Sequence, residues 1–489
     1  MLKLTSVNPK KDRFNTLVIP VCEDADIHDN RTVGMLVKKA LELSEFSGKA
    51  EEEVTMYHPE GMAVERLIFM GIGPLPSADL EAFRAVAGRT VKGGISRGLE
   101  ALCIAVPSEK KTGHGSADLI AAMMEGAVLA NHLFDRYKSE KKSTPLQEVT
   151  FWVKAQDARR FAGLPGRVAA ACEGTILARD WVSVPANDKQ PDAYAAAIAS
   201  LAREAGLETA VWDDAILAEK GFGALMAVGQ GSAAKPRMVT LEYRAEGAEK
   251  TVCLVGKGVT FDAGGLNLKV GGAMDGMKMD MAGSAAVAAT LLSAARIQPQ
   301  INVVGVIPIV ENMPSGGAIR PGDIIRTYSG KTVEIGNTDA EGRLILADAI
   351  AYAIGAYQPD AIIDLATLTG ACVVALGEKI AAVFTEEDDL ADAILASSRR
   401  TYERCWRMPM PEDYKELLKS DFADISNMSS SKWGGAITAA LFLSAFVKET
   451  RWVHIDIAGP AYAKKASAYC GPGGTGFGVR LLLDLLERI

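Results

Sequence analysis

Nothing in this sequence supports a disulfide framework, a membrane span or histidine-based metal chemistry. The seven cysteines (22, 103, 172, 253, 372, 405 and 470) are odd in number, scattered, and form no C-x-x-C pair. Cys103 in ALCIAV and Cys253 in TVCLVG sit in apolar runs, so buried reduced thiols in a cytoplasmic protein are expected. The longest apolar run, ITAALFLSAFV at 437–447, spans 11 residues and carries a Thr and a Ser. That falls well short of the ~20 residues a bilayer span needs and fits a buried helix. The opening MLKLTSVNPKKDRFNT has no apolar stretch for a secretory signal, so no leader is expected.

Familiar site motifs are missing too. Gly256-Lys-Gly258 follows a candidate strand, but a dinucleotide fingerprint needs a glycine where Phe261 stands. Gly330-Lys331-Thr332 resembles the end of a phosphate-binding loop, yet its first glycine is replaced by Ile325. No G-x-S-x-G elbow occurs. The five histidines (28, 58, 114, 132 and 454) form no H-E-x-x-H, and His454, on the strand-like WVHIDI, reads as a core residue. A catalytic metal must therefore rest on carboxylates, with lysine as the remaining candidate. With 53 basic against 61 acidic residues the formal charge is −8, which argues against a protein built to hold nucleic acid or anionic membrane. The short basic clusters at 109–111 and 136–142 read as solvated surface.

What is present is an ordinary globular composition, 48% hydrophobic and 23% charged, in a chain long enough for two cores. Apolar, β-rich runs at 16–21, 66–73, 101–106 and 149–155 predict strands, and 119–137 carries helical spacing. The polar stretch 138–145 reads as a loop. A helical pattern from about 166, RVAAACEGTILARDWV, ends at the breaker VPANDKQPD. Strands are then expected at 251–256, 302–310, 361–367, 381–385 and 452–459, and helices at 282–296, 341–355, 388–400 and 436–448. The resulting expectation is an α/β N-terminal domain over 1–160, a linking helix over 161–185, and a larger α/β C-terminal domain over 186–489.

Three segments of the second domain combine glycine-rich turns, strand ends and acids: VGKGVTFDAGGLNLK (255–269), MDGMKMDMAGSAAV (274–287) and NTDAEGRLILADA (337–349). Asp339 and Glu341, two apart, face one side if the chain is extended there and can share a cation. Thr338-x-x-Glu341 ahead of an apolar helix is equally a capping box, and Asp280 is equally an N-cap. Lys257 and Asp262 have no capping duty. A divalent ion could hold the lysine amine deprotonated, and two ions could neutralise several converging carboxylates.

Together these segments resemble the leucyl aminopeptidase (cytosol aminopeptidase, peptidase M17) family, of which NTDAEGR is a signature. The resemblance continues through ENMPSGGAIRPGD (311–323), ATLTGA (366–371), GGAITAA (434–440) and HIDIAGPA (454–461), and EGTILARDWVSVPAN (173–187) also matches. It implies a macro-domain-like N-terminal domain and a catalytic domain with a central mixed sheet flanked by helices. It also implies two divalent ions, zinc or manganese, one held by Lys257, Asp262, Asp280 and Glu341. The second would be held by Asp262, Asp339 (carboxylate and carbonyl oxygen) and Glu341. Lys269 and Arg343 match the catalytic positions, Arg343 as the holder of a bicarbonate general base. Met277, Thr367, Gly370, Ala458 and Ala461 match the lining of a mostly apolar pocket for the first side chain. The implied protein is a homohexamer acting on peptides with a free N-terminus, leucine preferred. Val270, Gly317 and Pro460 depart from residues common in the family and bear on pocket shape. Another carboxylate-bridged dimetal hydrolase, such as a phosphoesterase, would want more histidine ligands and a basic phosphate clamp. A binding protein with a vestigial site would not keep all seven of these positions.

Overall fold

The computed structural model describes residues 2–6 and 14–489. Residue 1 and residues 7–13 of the opening stretch, read above as free of a leader, lie outside the described residues. The chain forms two units, one of residues 1–172 with 465–471 and one of 173–464 with 472–489. The helix Leu164–Ser183 carries the chain from one into the other.

The first unit is built on a six-stranded sheet in the order Leu2–Thr5, Glu148–Trp152, Ala101–Ala105, Phe14–Val21, Val64–Gly71 and Glu53–Tyr57. All neighbours are parallel except the last pair. The inner strands are buried on both faces, which is why they read as unbroken apolar runs rather than alternating ones. The helical pattern over 119–137 overshoots, because the helix spans Ser116–Ala130. Asn131 caps it, and its side-chain amide pairs with both the amide and the carbonyl of Leu146, which turns the chain aside.

The second unit is built on a nine-stranded mixed sheet. Its order is Cys405–Arg407, Ala381–Phe384, Trp452–Asp456, Ala361–Ala366, Thr251–Gly256, Asn302–Asn312, Arg237–Tyr243 and Glu208–Trp212, with Gly258–Asp262 paired to the far end of Asn302–Asn312. The four strands from Trp452–Asp456 to Asn302–Asn312 run parallel. Their carboxyl ends open into the glycine-rich segments singled out in the sequence. The helices Ala282–Ile297 and Gly342–Tyr357 pack on this sheet, and both are rich in small residues that let them lie close. Expected strands and helices here fall within a few residues of those formed, although the apolar helix stops at Ser444. His454 is fully buried and pairs through Nδ1 with Asp364 at 2.6 Å, as its core reading implied.

Asp348 pins the helix Gly342–Tyr357. Its buried carboxylate accepts from the amides of Ala224, Leu225 and Tyr328 at 2.9, 3.0 and 2.7 Å. Burial pushes its pKa up to about 7 against the pull of those donors. Asp348→Ala strands three N–H groups and is expected to cost ~3 kcal/mol of stability or more, at ~1–3 kcal/mol for each unsatisfied group. A denaturation midpoint within about 1 kcal/mol of wild type would show that water reaches those amides.

Candidate metal and catalytic site

The strand Thr251–Gly256 delivers Lys257 at its carboxyl end, and the strand Gly258–Asp262 ends on Asp262. A turn of 3-10 helix over Met277–Met279 presents Asp280, and the start of Gly342–Tyr357 presents Glu341. Carboxylate oxygens of Asp262, Asp280 and Glu341 all lie within 4.8 Å of one another, and all three residues are buried. The Lys257 amine sits among them, 2.7 Å from Asp280, 2.9 Å from Glu341 and 2.9 Å from the carbonyl oxygen of Thr367. A Cβ on Gly342 would stand 2.4 Å from the Lys257 side chain, so glycine there gives the amine its room.

Asp339 joins from the turn before the helix. The Lys269 ammonium links it to Asp262, at 2.5 and 2.8 Å. The loop bearing Lys269 folds back through Gly264 at φ +87°, where a Cβ would meet the Asn267 carbonyl oxygen at 2.5 Å. Arg343 is buried one turn on. One guanidinium nitrogen donates to the carbonyl oxygen of Asn427 at 2.8 Å, while its Nε has no partner. The structure thus brings together all seven residues singled out for metal binding and catalysis.

Electrostatics match the crowding. Burial, followed by the Asp262 charge, raises the pKa of Glu341 and of Asp339, and burial above all raises that of Asp280. Burial works against the charge on Lys257 and Lys269, but the surrounding carboxylates win and hold both amines up. Burial pushes Arg343 down to about 10. Asp280 Oδ2 and Glu341 Oε2 are buried with no hydrogen-bond partner. Buried oxygens of that kind are costly unless something positive meets them, and converging carboxylates beside an amine are the donor set of a hard or borderline divalent cation.

Both capping readings fail. The helix Gly342–Tyr357 begins with no side-chain cap, and Glu341 itself occupies the N-cap position. Thr338 instead donates to the Gly264 carbonyl oxygen at 2.6 Å and accepts from the Asn267 amide at 2.9 Å. Its hydroxyl ties the Lys269 loop to the 337–341 turn. Asp280 likewise precedes a helix whose N-cap is Met281, and its Oδ1 takes Lys257 and the Thr367 hydroxyl.

Three positioning residues were not singled out in the sequence, although Asn312 and Asp456 lie within the ENMPSGGAIRPGD and HIDIAGPA segments. Asn427 is fully buried and holds the 336–340 turn with its whole amide. Its oxygen accepts from the amides of Gly336 and Asn337, and its nitrogen donates to the carbonyls of Asn337 and Ala340. Asn312 donates to Asp262 Oδ1 at 2.8 Å and to the Thr338 carbonyl at 3.1 Å. Asp456 accepts from the amides of Leu368 and Ala458, both at 3.1 Å, and from the Thr369 hydroxyl at 2.7 Å. It therefore joins two segments expected to line a pocket, those of Thr367 with Gly370 and of Ala458. Met277 opens the same 3-10 turn that presents Asp280, and Ala461 is buried beyond the strand Trp452–Asp456.

Two family models match the chain: the catalytic domain of the cytosol aminopeptidase family over residues 176–483, and the N-terminal domain of that family over 21–141. A probable cytosol aminopeptidase of Syntrophotalea carbinolica is 42% identical over 484 residues, covering 98% of this chain and 95% of the relative. One of Aquifex aeolicus is 40% identical and covers 92% and 90%. Among solved structures, the bottromycin maturation enzyme BotP in complex with Mn is similar at a TM-score of 0.86 and 38% identity, covering 97% of this chain and 99% of BotP.

Proposed function

The chain belongs to the cytosol aminopeptidase family, peptidase M17, and from that premise we propose that it removes leucine and other bulky apolar residues from the N-terminus of peptides in a metal-dependent reaction. The observation that carries this reading is the buried meeting of Asp262, Asp280 and Glu341 with two unpartnered oxygens and the Lys257 amine beside them.

The residues fit two divalent ions. Lys257, Asp262, Asp280 and Glu341 would hold one; Asp262, Glu341 and Asp339, through carboxylate and carbonyl oxygen, would hold the other. Oxygen donors with a single amine suit zinc or manganese. Bound there, the ions supply a water that loses its proton at neutral pH and an anchor for the free α-amine. Lys269 is the electrophile that polarises the peptide carbonyl and meets the charge developing on its oxygen. The unpartnered Nε of Arg343 suits a small anion, and we assign Arg343 to hold bicarbonate as the general base. Met277, Thr367, Gly370, Ala458 and Ala461 are assigned to the pocket for the first side chain.

A cytoplasmic location is part of the reading, supported by seven buried cysteines that form no disulfide. No helix among the described residues is long and apolar enough to cross a membrane. A homohexamer is likewise proposed. Large apolar side chains left exposed, such as Val374, Trp406, Phe422 and Trp433, are surface an assembly would cover. Light scattering should return six chain masses.

The direct test is hydrolysis of leucyl amide with metal analysis alongside. About two divalent ions per chain are expected, with activity lost to a chelator and restored by zinc or manganese. An N-acetylated leucyl peptide should resist. Cleavage of the blocked peptide at a matching rate would remove the amine anchor from the mechanism.

A further inference from the structure

The first unit holds a cavity of about 750 Å3 that the aminopeptidase reading does not use. Residues at or just beyond the carboxyl ends of three neighbouring parallel strands, Leu2–Thr5, Glu148–Trp152 and Ala101–Ala105, line it together with residues 28–33 from the stretch that follows Phe14–Val21, the next strand in the sheet. The chain leaves Phe14–Val21 toward Val64–Gly71 on one side and leaves Ala101–Ala105 toward Glu148–Trp152 on the other. Open α/β sheets bind ligands in the crevice where successive connections diverge in this way. The volume lies within the ~300–1,000 Å3 of small-molecule sites.

Val33, Ala105, Pro107, Ile120 and Trp152 give the cavity an apolar part. Three acids, Asp29, Glu109 and Asp157, and three bases, Lys110, Lys154 and Arg160, give it balanced charge. Asp29 is spent on Lys154 at 2.5 Å and on the Ser108 hydroxyl at 2.6 Å. Glu109 accepts from the amide and hydroxyl of Ser116 at 3.1 and 2.8 Å and keeps its charge. Lys110 and Asp157 have no side-chain partner among the described residues, and Arg160 lies over the Phe161 ring, 5.0 Å away, with its charge acting on Glu109. Uncommitted groups of both signs over an apolar surface suit a ligand that carries both signs itself. A bare anion or cation would leave one sign unmet.

We propose that this cavity binds a zwitterion with an apolar body, a free apolar amino acid or a short unblocked peptide. The ligand carboxylate meets Lys110 and Arg160, its ammonium meets Asp157 and Glu109, and its side chain rests against Trp152 and Ile120. Such molecules are what the proposed hydrolysis releases. The activity names only their source; the site itself rests on the cavity.

The probe is L-leucine added at millimolar concentration to the metal-loaded full-length enzyme, with tryptophan fluorescence and calorimetry as readouts. A saturable fluorescence change is expected, lost in Trp152→Phe while calorimetry still registers the site. Lys110→Glu with Arg160→Glu, both exposed positions, should weaken this binding about tenfold or more, as charge-assisted bonds are replaced by repulsion. The kcat/KM for leucyl amide should stay within about twofold in that variant. N-acetyl-L-leucinamide, with the same body and neither charge, should give no response. No saturable response to L-leucine overturns the proposal, as does indifference to the double reversal. An equal response to adenosine monophosphate would mark an anion site instead and also overturns it. Hydrolysis without a Trp152 response sinks the site and leaves the activity; the converse sinks the activity and leaves the site.

Discussion

Replacing Glu341 with alanine is expected to lower kcat/KM for leucyl amide by about 10^3-fold or more, ~4 kcal/mol of lost transition-state stabilisation. Glu341 is fully enclosed, 2.9 Å from the Lys257 amine, with Oε2 unpartnered and the carboxylates of Asp262 and Asp280 within 4.8 Å. In the proposed reading it is shared between both cation sites, so its loss weakens both together. Calorimetric metal titration should then show both affinities reduced, whereas Asp280→Ala should affect one. Glu341→Gln keeps the side-chain volume and removes only the charge. If the Gln variant matches alanine in activity and metal binding, the charge is what matters. If Glu341→Ala keeps more than about a tenth of wild-type kcat/KM with metal in excess, the ligand assignment is wrong.

Glu341 also shows where reading the sequence works and where it stops. The buried parallel strands and the three glycine-rich segments were visible because burial on both faces leaves unbroken apolar runs, and because strand ends that bend sharply need glycine. The Thr338–Glu341 capping box was visible as well and did not form. A local rule lost there to a tertiary one, since the Thr338 hydroxyl gains more by tying down residues 264–267 than by capping its own helix. No local pattern marks Asn427, and the segments that contain Asn312 and Asp456 do not say what those side chains hold. Each bonds far along the chain, Asn312 to Asp262, Asp456 to Leu368 and Asn427 to Asn337, over 50, 88 and 90 positions. Their importance appears only once separate loops are folded against one another. The same holds for residues 465–471, which group with the first unit from far along the chain. There the carbonyl oxygens of Ser467 and Cys470 take the Lys92 ammonium, and the Tyr469 hydroxyl donates to Glu81. No composition shift marks that return.

Lys269→Met separates two roles that the geometry gives one ammonium. Its Nζ lies 2.8 Å from Asp262 and 2.5 Å from Asp339, and the side chain is 14% exposed. One role is to neutralise that pair of carboxylates. The other, proposed here, is to stabilise charge that appears on the substrate carbonyl only as the bond is attacked. The two roles fail differently. A neutralising lysine, once removed, would leave the carboxylates more attractive to cations, so metal binding would tighten and activity would hold. A lysine that acts on the developing oxyanion would leave metal content and KM nearly unchanged and lower kcat. The expected fall is ~10^2–10^3-fold, the usual cost of deleting one oxyanion donor, about 3–4 kcal/mol. Lys269→Arg should recover part of kcat, because it restores the charge but not the compact geometry of an ammonium. Steady-state kinetics on leucyl amide with metal analysis of the same samples decides the matter. A loss confined to KM would assign Lys269 to ground-state binding and take the electrophile out of the mechanism.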